Sequence, residues 1–239
     1  MKNLLIYLFT LSYLVVAGCK DDEQQPIMET GTMTDVDGNT YATVKIGNRW
    51  WMAENLRVTH YRDGSPITRL DSDVDWSVGD AGYTVHPEAT TRMGNLYNWA
   101  AVSNAAQLAP DGWHIATDDE WKQLELDLGM SSSAANALGW RGSKEGDALK
   151  ATGTGNWARY DPVWADNSSG FSALSGSCRL YDGRFGTPGK GYSGFWWTSS
   201  ASTLHPDKAY YRYLDYKRSS VFRQTEQTKY GLGIRCVKD

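Results

Sequence analysis

Alternating apolar and polar positions predict three short strands at the start of the domain. Residues 32–36 and 40–46 are β-type runs, and the Asp-Gly-Asn sequence at 37–39 favours a turn between them, which predicts a hairpin. Residues 49–52, Arg-Trp-Trp-Met, predict a third strand. Between residues 57 and 91 the periodicity fades and Asp, Ser, Gly and Pro are frequent, so we predict a long loop there.

The clearest helical pattern follows in the middle of the chain. Thr117 and Glu120 have the spacing of a capping box, in which each side chain accepts a hydrogen bond from the other residue's backbone N–H. Apolar residues then recur at helical spacing, at Trp121, Leu124 and Leu128. We therefore predict a helix that ends at Gly129 and buries this stripe. The acidic residues 118–120 are explained as favourable charges at its N-terminus.

Shorter elements complete the predicted order. Helical segments are expected at residues 94–102, 133–138 and 147–150, and a brief strand at 113–115. Later strands are predicted at residues 171–174, 194–199, 209–216, 221–223 and 232–237. Many short strands beside few helices predict an α+β fold.

The first 18 residues have the pattern of a cleaved signal peptide. Lys2 precedes an apolar run from Leu4 to Val16, which is too short to span a bilayer. Residues 16–19, Val-Ala-Gly-Cys, resemble a bacterial lipobox, and this resemblance implies that Cys19 becomes the first mature residue and carries a diacylglycerol. The alternative is an ordinary cleaved signal peptide followed by a chance cysteine.

The residues after Cys19 bear on where the protein is displayed. Residues 20–23, Lys-Asp-Asp-Glu, resemble the export signal of Bacteroidota surface lipoproteins. The resemblance implies an outer-membrane protein that faces the cell exterior and meets the membrane through its lipid alone. Residues 19–31 lack apolar periodicity and contain Pro26, so we predict a tether there and one domain over residues 32–239. We expect that domain to be a monomer.

Charge and aromatic content limit the class of partner. The chain has 24 basic and 28 acidic residues, a net charge of −4. A nucleic-acid-binding protein needs a basic face, so we expect no nucleic-acid partner. The chain also has 11 Trp and 14 Tyr beside 5 Phe, and rings with a polar edge suit partly wet binding surfaces such as those of lectins. A compact core with many turns is the alternative.

A set of short motifs occurs in order across the domain. They are residues 37–41 (Asp-Gly-Asn-Thr-Tyr), 51–56 (Trp-Met-Ala-Glu-Asn-Leu), 97–99 (Tyr-Asn-Trp), 110–114 (Pro-Asp-Gly-Trp-His), 117–121 (Thr-Asp-Asp-Glu-Trp), 171–174 (Phe-Ser-Ala-Leu), 196–199 (Trp-Trp-Thr-Ser) and 233–237 (Gly-Ile-Arg-Cys-Val). Together they resemble the Fibrobacter succinogenes major paralogous domain family of bacterial surface lipoproteins.

The family resemblance implies a fold but no particular activity. The implied fold is C-type lectin-like, with short antiparallel sheets and one or two flanking helices. Formylglycine-generating enzymes and variable receptor-binding proteins share that fold. The resemblance therefore leaves both a binding function and an enzymatic one to be weighed on individual residues.

Two cysteines remain once Cys19 carries the lipid. Cys178 and Cys236 form an even pair in an exported protein, which favours a disulfide bond between them. A reactive thiol pair, like that of the formylglycine-generating relatives, is the alternative.

Metal and enzyme motifs are weak in this sequence. The four histidines are scattered and have no cysteine nearby, so we expect no zinc site. One loop offers oxygen ligands of the kind that calcium prefers, from Asp161, Asp166, Asn167 and Ser168. Asx turns are the favoured explanation of that loop, because the sugar-binding motifs of C-type lectins are absent. Serine-nucleophile, paired-carboxylate and phosphate-loop motifs are also missing, so we expect no enzyme, metal or cofactor.

The predicted strand at residues 209–216 carries the best indication of a binding surface. Period-two alternation directs four side chains to one face, namely Tyr211, Tyr213, Asp215 and Lys217. Leu214 then marks the buried face, and Arg223 lies in a polar stretch beside the strand. Phenol rings with an acid and cations suit recognition of a glycan or an exposed protein. In lectin-like variable proteins this region displays the binding residues, and the resemblance implies the same here. A wet sheet face whose rings merely cover the strand is the alternative.

Three functions follow as hypotheses. The favoured one is non-enzymatic recognition or adhesion. A structural or assembly lipoprotein that binds another envelope component is the first alternative, and a formylglycine-generating type of enzyme is the second.

Overall fold

The computed structural model of the chain describes residues 28–186 and 189–239. The predicted signal peptide, the lipid attachment at Cys19 and most of the predicted tether lie outside these residues. The first strand begins at Thr30, slightly before the predicted domain boundary at residue 32.

Thirteen strands and five α-helices make up the described part of the chain. In chain order the strands are β1 (Thr30–Thr34), β2 (Thr40–Ile46), β3 (Arg49–Met52), β4 (Thr68–Arg69), β5 (Gly82–Thr84), β6 (Leu96–Asn98), β7 (Trp113–Ile115), β8 (Gly139–Arg141), β9 (Ser193–Ala201), β10 (Lys208–Asp215), β11 (Val221–Gln227), β12 (Gly231–Leu232) and β13 (Cys236–Lys238). The helices are α1 (Asp73–Val78), α2 (Trp99–Val102), α3 (Asp118–Asp127), α4 (Ser132–Asn136) and α5 (Glu145–Leu149), and a 3-10 turn covers Thr91–Met93.

The first sheet has the strand order β1-β2-β3-β13-β7, so the last strand of the chain lies between β3 and β7. The predicted hairpin of β1 and β2 and the predicted third strand are confirmed. Asp35 fixes the hairpin turn, because its carboxylate accepts hydrogen bonds from the backbone N–H groups of Asp37 and Asn39. Gly38 has a φ of 79°, a left-handed conformation that favours glycine.

The second sheet has the strand order β8-β11-β10-β9 and is antiparallel throughout. The strand predicted at residues 209–216 corresponds to β10, which lies inside this sheet between β9 and β11. Because β8 comes from residues 139–141, the sheet joins the middle of the chain to its C-terminal part. This pairing places side chains from four strands on one continuous face.

The third sheet has the strand order β12-β6-β5-β4 and corrects the predicted loop at residues 57–91. That segment contains β4, α1 and β5, with β4 parallel to β5. Trp76 of α1 is buried, and its Nε1–H donates a hydrogen bond to the Lys229 carbonyl at 2.9 Å. The elements were not predicted because each is at most six residues long, which is too short to leave a periodic pattern.

Helix α3 confirms the predicted central helix. The Thr117 hydroxyl accepts a hydrogen bond from the Glu120 N–H at 3.1 Å, and the Glu120 carboxylate accepts one from the Thr117 N–H at 2.9 Å. Trp121 and Leu124 are buried, and Leu128 is partly buried against them. The capping box therefore begins the helix and the apolar stripe fixes it to the core.

Several shorter predictions are shifted or wrong. Helices α4 and α5 lie close to their predicted positions, whereas at residues 94–102 the strand β6 precedes the short helix α2. Residues 171–174 form no strand, and Ala173 makes a single isolated bridge to Lys150. The strand predicted at residues 232–237 is divided into β12 and β13, because the chain crosses from the third sheet to the first between them.

Two large hydrophobic clusters lie between these elements. The first includes Tyr41, Tyr97, Trp197 and Ile234. The second is built around four rings whose centroids lie 5.3 to 6.4 Å apart, those of Trp51, Trp121, Phe171 and Trp196. Over residues 28–186 and 189–239, no helix has the length and apolarity to cross a membrane. The architecture is α+β, with short helices beside small, mostly antiparallel sheets.

Candidate functional site

The alternation predicted for β10 is present in the structure. Leu214 is only 2 % exposed and packs in the second cluster, and Arg212 on the same face is fully buried. Tyr211, Tyr213 and Asp215 lie on the opposite face and are partly exposed. The predicted register of these residues is therefore confirmed. The second sheet has a core face and an outer face.

Four aromatic side chains, which we call the aromatic row, cross the outer face of this sheet. Tyr213 of β10 lies opposite Phe222 of β11 and Phe195 of β9. Phe222 in turn lies opposite Trp140 of β8. The Phe195 and Tyr213 rings are stacked, with centroids 4.7 Å apart and planes 6° from parallel. The Trp140 ring lies 5.2 Å from Tyr213 and 5.1 Å from Phe222, and all four side chains are partly exposed.

The outer face is covered at one end. Trp197, further along β9 than Phe195, is fully buried, and its Nε1–H donates to the Tyr97 carbonyl at 3.1 Å. Tyr211 packs against the same hydrophobic cluster, with its ring 6.3 Å from that of Trp197, and burial raises its pKa. The predicted binding residue Tyr211 therefore borders the core. The exposed part of the face centres on Tyr213.

A groove of about 370 Å³ opens beside the Phe195 end of the row. Phe195 and Tyr213 form one wall, and the segment 178–186 forms the other. That segment contributes Cys178, Leu180, Arg184, Phe185 and Gly186. Arg184 forms an ion pair with Asp182 at 2.6 Å. The row and the groove are therefore continuous at these two rings.

Asp215 and Arg218 border the row near Tyr213 and Trp140. The Tyr213 hydroxyl donates to Asp215 Oδ2 at 2.6 Å, and the Lys217 backbone N–H donates to Asp215 Oδ1 at 2.8 Å. Burial and the hydrogen bond to Asp215 both raise the pKa of Tyr213. The Arg218 guanidinium lies 4.8 Å from the centre of the Trp140 ring. The predicted residue Asp215 thus orients Tyr213.

The predicted placement of Lys217 on the strand face is wrong, because β10 ends at Asp215 and Lys217 lies in the following turn. Its Nζ lies 5.4 Å from the centre of the Tyr160 ring and 5.3 Å from that of Tyr216. The Tyr192 ring also contacts Tyr216, with centroids 5.0 Å apart. Lys217 therefore belongs to a neighbouring group, Tyr160, Tyr192 and Tyr216, which we call the tyrosine rim.

Arg223 does not lie beside the other predicted binding residues on the outer face. Arg223 lies opposite Arg212 on the core face of the sheet and is only 6 % exposed. Its Nε and Nη2 donate to the Asp118 carboxylate at 2.9 and 2.6 Å, and its Nη1 donates to the Asn136 carbonyl at 3.1 Å. The reason lies in the alternation of β11, which places Arg223 on the same face as the buried Val221.

Arg223 is part of a buried charge network between α3 and the second sheet. Arg212 donates to Asp118 and to Glu125 at 2.7 Å each, and Arg141 donates to Glu125 at 2.5 and 2.9 Å. Burial opposes the charge of Asp118, but hydrogen bonds from Arg223 and Arg212 outweigh it and lower the pKa of Asp118 to about 2. Asp118 does more than favour the helix N-terminus, because it fixes the helix to the sheet.

Asn55 and Arg235, which lie in two of the family-like motifs (residues 51–56 and 233–237), also have structural roles. Asn55 Oδ1 accepts hydrogen bonds from Trp196 Nε1 at 2.9 Å and Arg235 Nε at 2.7 Å. Arg235 also donates to the carbonyls of Met52 and Phe171 at 2.8 and 2.7 Å. Burial lowers the pKa of Arg235 to about 9, which still leaves it charged at neutral pH. These contacts join separate segments of the chain inside the core.

Cys178 and Cys236 are free thiols in the structure, so the predicted disulfide is not present. Cys178 lies at the groove beside the second sheet, whereas Cys236 lies in β13 of the first sheet, opposite Ile115. Both are buried. Burial raises the pKa of Cys178 to about 11 and also raises that of Cys236.

The loop considered for calcium forms local hydrogen bonds. The Asp166 carboxylate accepts from the Ser168 N–H at 2.8 Å, and Asn167 Oδ1 accepts from the Ser172 N–H at 2.8 Å. The first of these bonds is the Asx-turn pattern that the sequence favoured. Asp161 lies 3.4 Å from Arg159. Within the part of the chain that the structure describes, no group of three or more His, Cys, Asp or Glu side chains is placed to hold a metal ion.

Three rings of the aromatic row and Arg218 were not predicted as site residues. Phe195 and Phe222 carried little signal, because each adjoins a buried apolar residue and the local sequence does not alternate between apolar and polar positions. Trp140 carried none, because only the pairing of β8 with β11 brings it to this face. Arg218 lies in a turn, where alternation does not apply.

Fold and site together define an α+β domain. One face of its second sheet is bonded to α3 through buried charges, and the other face presents the aromatic row. The chain belongs to the Fibrobacter succinogenes major domain family, whose model matches residues 44–238. No curated protein and no solved structure matches the chain with significant similarity.

Proposed function

We propose that this protein is a non-enzymatic recognition domain of C-type lectin-like fold that binds a glycan or an exposed protein. In this proposal it is a lipoprotein displayed on the outer face of the outer membrane. The observation that carries the recognition role is the aromatic row, in which Trp140, Phe222, Tyr213 and Phe195 occupy opposed positions and remain partly exposed.

The contacts on the core face of the second sheet favour a binding role for the aromatic row over the alternative that its rings only cover the strand. The core face of the same sheet is bonded to α3 through Asp118 and Glu125, which receive hydrogen bonds from three arginines. A surface held in this way loses little conformational freedom when a ligand binds, because its rings are already ordered by packing. Rigid aromatic rings with polar groups at their edges are typical of recognition surfaces.

The display of the domain at the cell surface is supported by the leader. The lipobox-like residues 16–19 place a cysteine where a diacylglycerol is attached, and residues 20–23 resemble a surface-export signal. A recognition surface on such a lipoprotein would meet ligands outside the cell, which fits either a glycan or a protein on a neighbouring surface.

The two alternatives predict different behaviour. An assembly lipoprotein would co-purify with an envelope complex through the same face. A formylglycine-generating type of enzyme would need a reactive thiol, and the raised pKa of Cys178 and of Cys236 disfavours a thiolate at neutral pH. Redox-dependent turnover of a peptide substrate would favour the enzyme, and recovery in a stable envelope complex would favour assembly.

The proposal is tested by binding the full chain, solubilised in detergent, to arrays of glycans and of surface proteins. Tyr213→Leu and Phe222→Leu remove rings from the row and should abolish the array signal while the protein stays folded. Leu204→Ser, at a residue that is 81 % exposed on the loop before β10, is the matched control and should leave the signal unchanged. Retention of the full signal by both ring variants would overturn the proposed site.

A further inference from the structure

The cations that border the aromatic row indicate which class of ligand it takes. We infer that the ligand is an acidic glycan, whose sugar rings stack on the aromatic row and whose carboxylate or sulfate groups bind Arg218 and Lys217. The inference rests on the proposed recognition function and makes it specific.

Arg218 offers its guanidinium to solvent at the edge of the row. The side chain is exposed and lies over the Trp140 ring, 4.8 Å from its centre. Among the described residues, no carboxylate lies within ion-pair distance of it. The nearby Asp215 makes no ion pair with it, and the two oxygens of Asp215 accept hydrogen bonds from the Tyr213 hydroxyl and the Lys217 backbone N–H. The N–H groups of Arg218 therefore remain available for an anion on a ligand.

Lys217 adds a second cation on the same side. It is exposed, its Nζ lies 5.3 and 5.4 Å from two rings of the tyrosine rim, and it too has no ion-pair partner in the described part of the chain. Tyr160 and Tyr192 of that rim are 44 % and 41 % exposed. The rim thus continues the pattern of the row, with flat rings beside an exposed positive charge.

The positive charge beside the rings favours an anionic ligand. The chain as a whole carries a net charge of −4, but here two exposed cations are adjacent in the chain and lie beside aromatic rings. A neutral glycan would use the rings and leave both cations without a partner. An acidic glycan uses both, because a guanidinium presents a planar pair of N–H donors that fits a carboxylate or sulfate.

The size of the ring group suits a short stretch of a sugar chain. The ring of Trp140 lies only 5.2 Å from that of Tyr213, and the ring of Tyr213 lies 4.7 Å from that of Phe195, so the four rings form one compact group. The groove beside Phe195 prolongs that surface at one end, and Arg218 stands beside Trp140 at the other. A short stretch of an acidic glycan would therefore contact the ring group, with its acidic groups near the cations at the edge.

The test compares charged and uncharged forms of the same polymer. We would titrate the detergent-solubilised full chain with polygalacturonate and with its fully methyl-esterified form, and with chondroitin sulfate and its desulfated form. We expect at least one charged polymer to bind about tenfold or more tightly than its less charged form, with the difference reduced by added salt. Arg218→Gln and Lys217→Gln should each weaken binding of that polymer by about tenfold. Lys238→Gln, at an exposed residue of the first sheet, is the matched control and should have no effect.

Equal binding of charged and less charged forms would overturn the inference, as would absence of binding to both charged polymers. A charged polymer that binds equally well to Arg218→Gln would also overturn it. In each of these cases the proposed recognition function is judged separately, by whether Tyr213→Leu and Phe222→Leu abolish the array signal. Exclusive binding of a surface protein would leave recognition standing and sink the acidic-glycan inference.

Discussion

Arg223 donates two hydrogen bonds to the Asp118 carboxylate, at 2.9 and 2.6 Å, and so joins β11 to the first turn of α3. Because both groups are buried, removing either partner leaves the other charged and without its main compensation. Arg223→Ala should lower the free energy of unfolding by about 3 kcal/mol or more. Urea denaturation followed by tryptophan fluorescence measures the change.

A surface arginine provides the control for this first prediction. Arg159 pairs with Asp161 at 3.4 Å, but its side chain is 70 % exposed. Arg159→Ala should therefore change the free energy of unfolding by no more than about 0.5 kcal/mol. Equal stability of Arg223→Ala and the parent protein would contradict the buried role of Arg223 and reopen its earlier interpretation as a binding residue.

The depressed pKa of Asp118 predicts how stability depends on acid. In the folded protein the pKa of Asp118 is lowered to about 2, because the two arginines outweigh the effect of burial. In the unfolded chain the pKa returns to about 3.9, so the stabilisation is fully present above that pH and is lost as the pH falls toward 2. The loss should be on the order of 2 kcal/mol. Asp118→Asn should be less stable at pH 7 and should show a smaller decrease between pH 4 and pH 2.

Glu120 also contributes to the loss of stability between pH 4 and pH 2. Its pKa is also about 2, since hydrogen bonds from His114 and from the Thr117 backbone outweigh the effect of burial. Asp118→Asn therefore reduces the slope without removing it. A slope identical to that of the parent protein would show that Asp118 is not paired in solution.

Because both cysteine thiols are buried, we predict that thiol reagents modify them slowly in native protein. Burial raises the pKa of Cys178 to about 11 and also raises that of Cys236, so little thiolate is present at pH 8. We expect a thiol reagent such as iodoacetamide to modify neither residue appreciably in native protein and both in 6 M guanidinium. Peptide mass spectrometry without reduction measures this directly. A linked pair of Cys178 and Cys236 peptides would contradict the free thiols.

The proposed lipid anchor can be tested without reference to the fold. If Cys19 carries the diacylglycerol, Cys19→Ala should move the protein from the detergent phase to the aqueous phase of a Triton X-114 separation. Its melting temperature should not change, because residue 19 precedes the first strand at Thr30. A matched replacement at the tether, Gln24→Ala, should remain in the detergent phase. Detergent partition of Cys19→Ala equal to that of the parent would sink the lipoprotein proposal.

Local sequence patterns predicted those elements whose stabilising contacts are close in the chain. The hairpin at Asp35 and the capping box of Thr117 and Glu120 are fixed by hydrogen bonds over a few residues, so they were predicted in nearly their observed positions. Alternation likewise predicted the buried side of β10 at Leu214. In each case the signal and the contact lie in the same short segment.

The parts that were missed depend on distant pairing. Trp140 joins the aromatic row only because β8 pairs with β11, a contact between residues about eighty positions apart. Glu125 is a charged residue that lies next to the apolar stripe of α3. It is buried because Arg212 and Arg141 donate hydrogen bonds to its carboxylate. Such charged residues give the pattern of a solvent-exposed face until their partners are known. The residues of the aromatic row were therefore harder to predict than β10, the strand that carries Tyr213.

The two faces of β10 give the last prediction. Leu214 is 2 % exposed in the second hydrophobic cluster, so Leu214→Ala should lower the free energy of unfolding by about 2 to 5 kcal/mol. Tyr213 is partly exposed on the outer face, and Tyr213→Leu keeps an apolar side chain over Phe195, so it should cost less than about 1.5 kcal/mol. Ligand binding should show the reverse order, with a large loss for Tyr213→Leu and little for Leu214→Ala at temperatures where that variant is folded. Urea denaturation and the array signal, measured on the same preparations, separate the two effects. A Tyr213 variant that unfolds more readily than the Leu214 variant would mean that the outer face is packed against the body of the protein and is not free to bind.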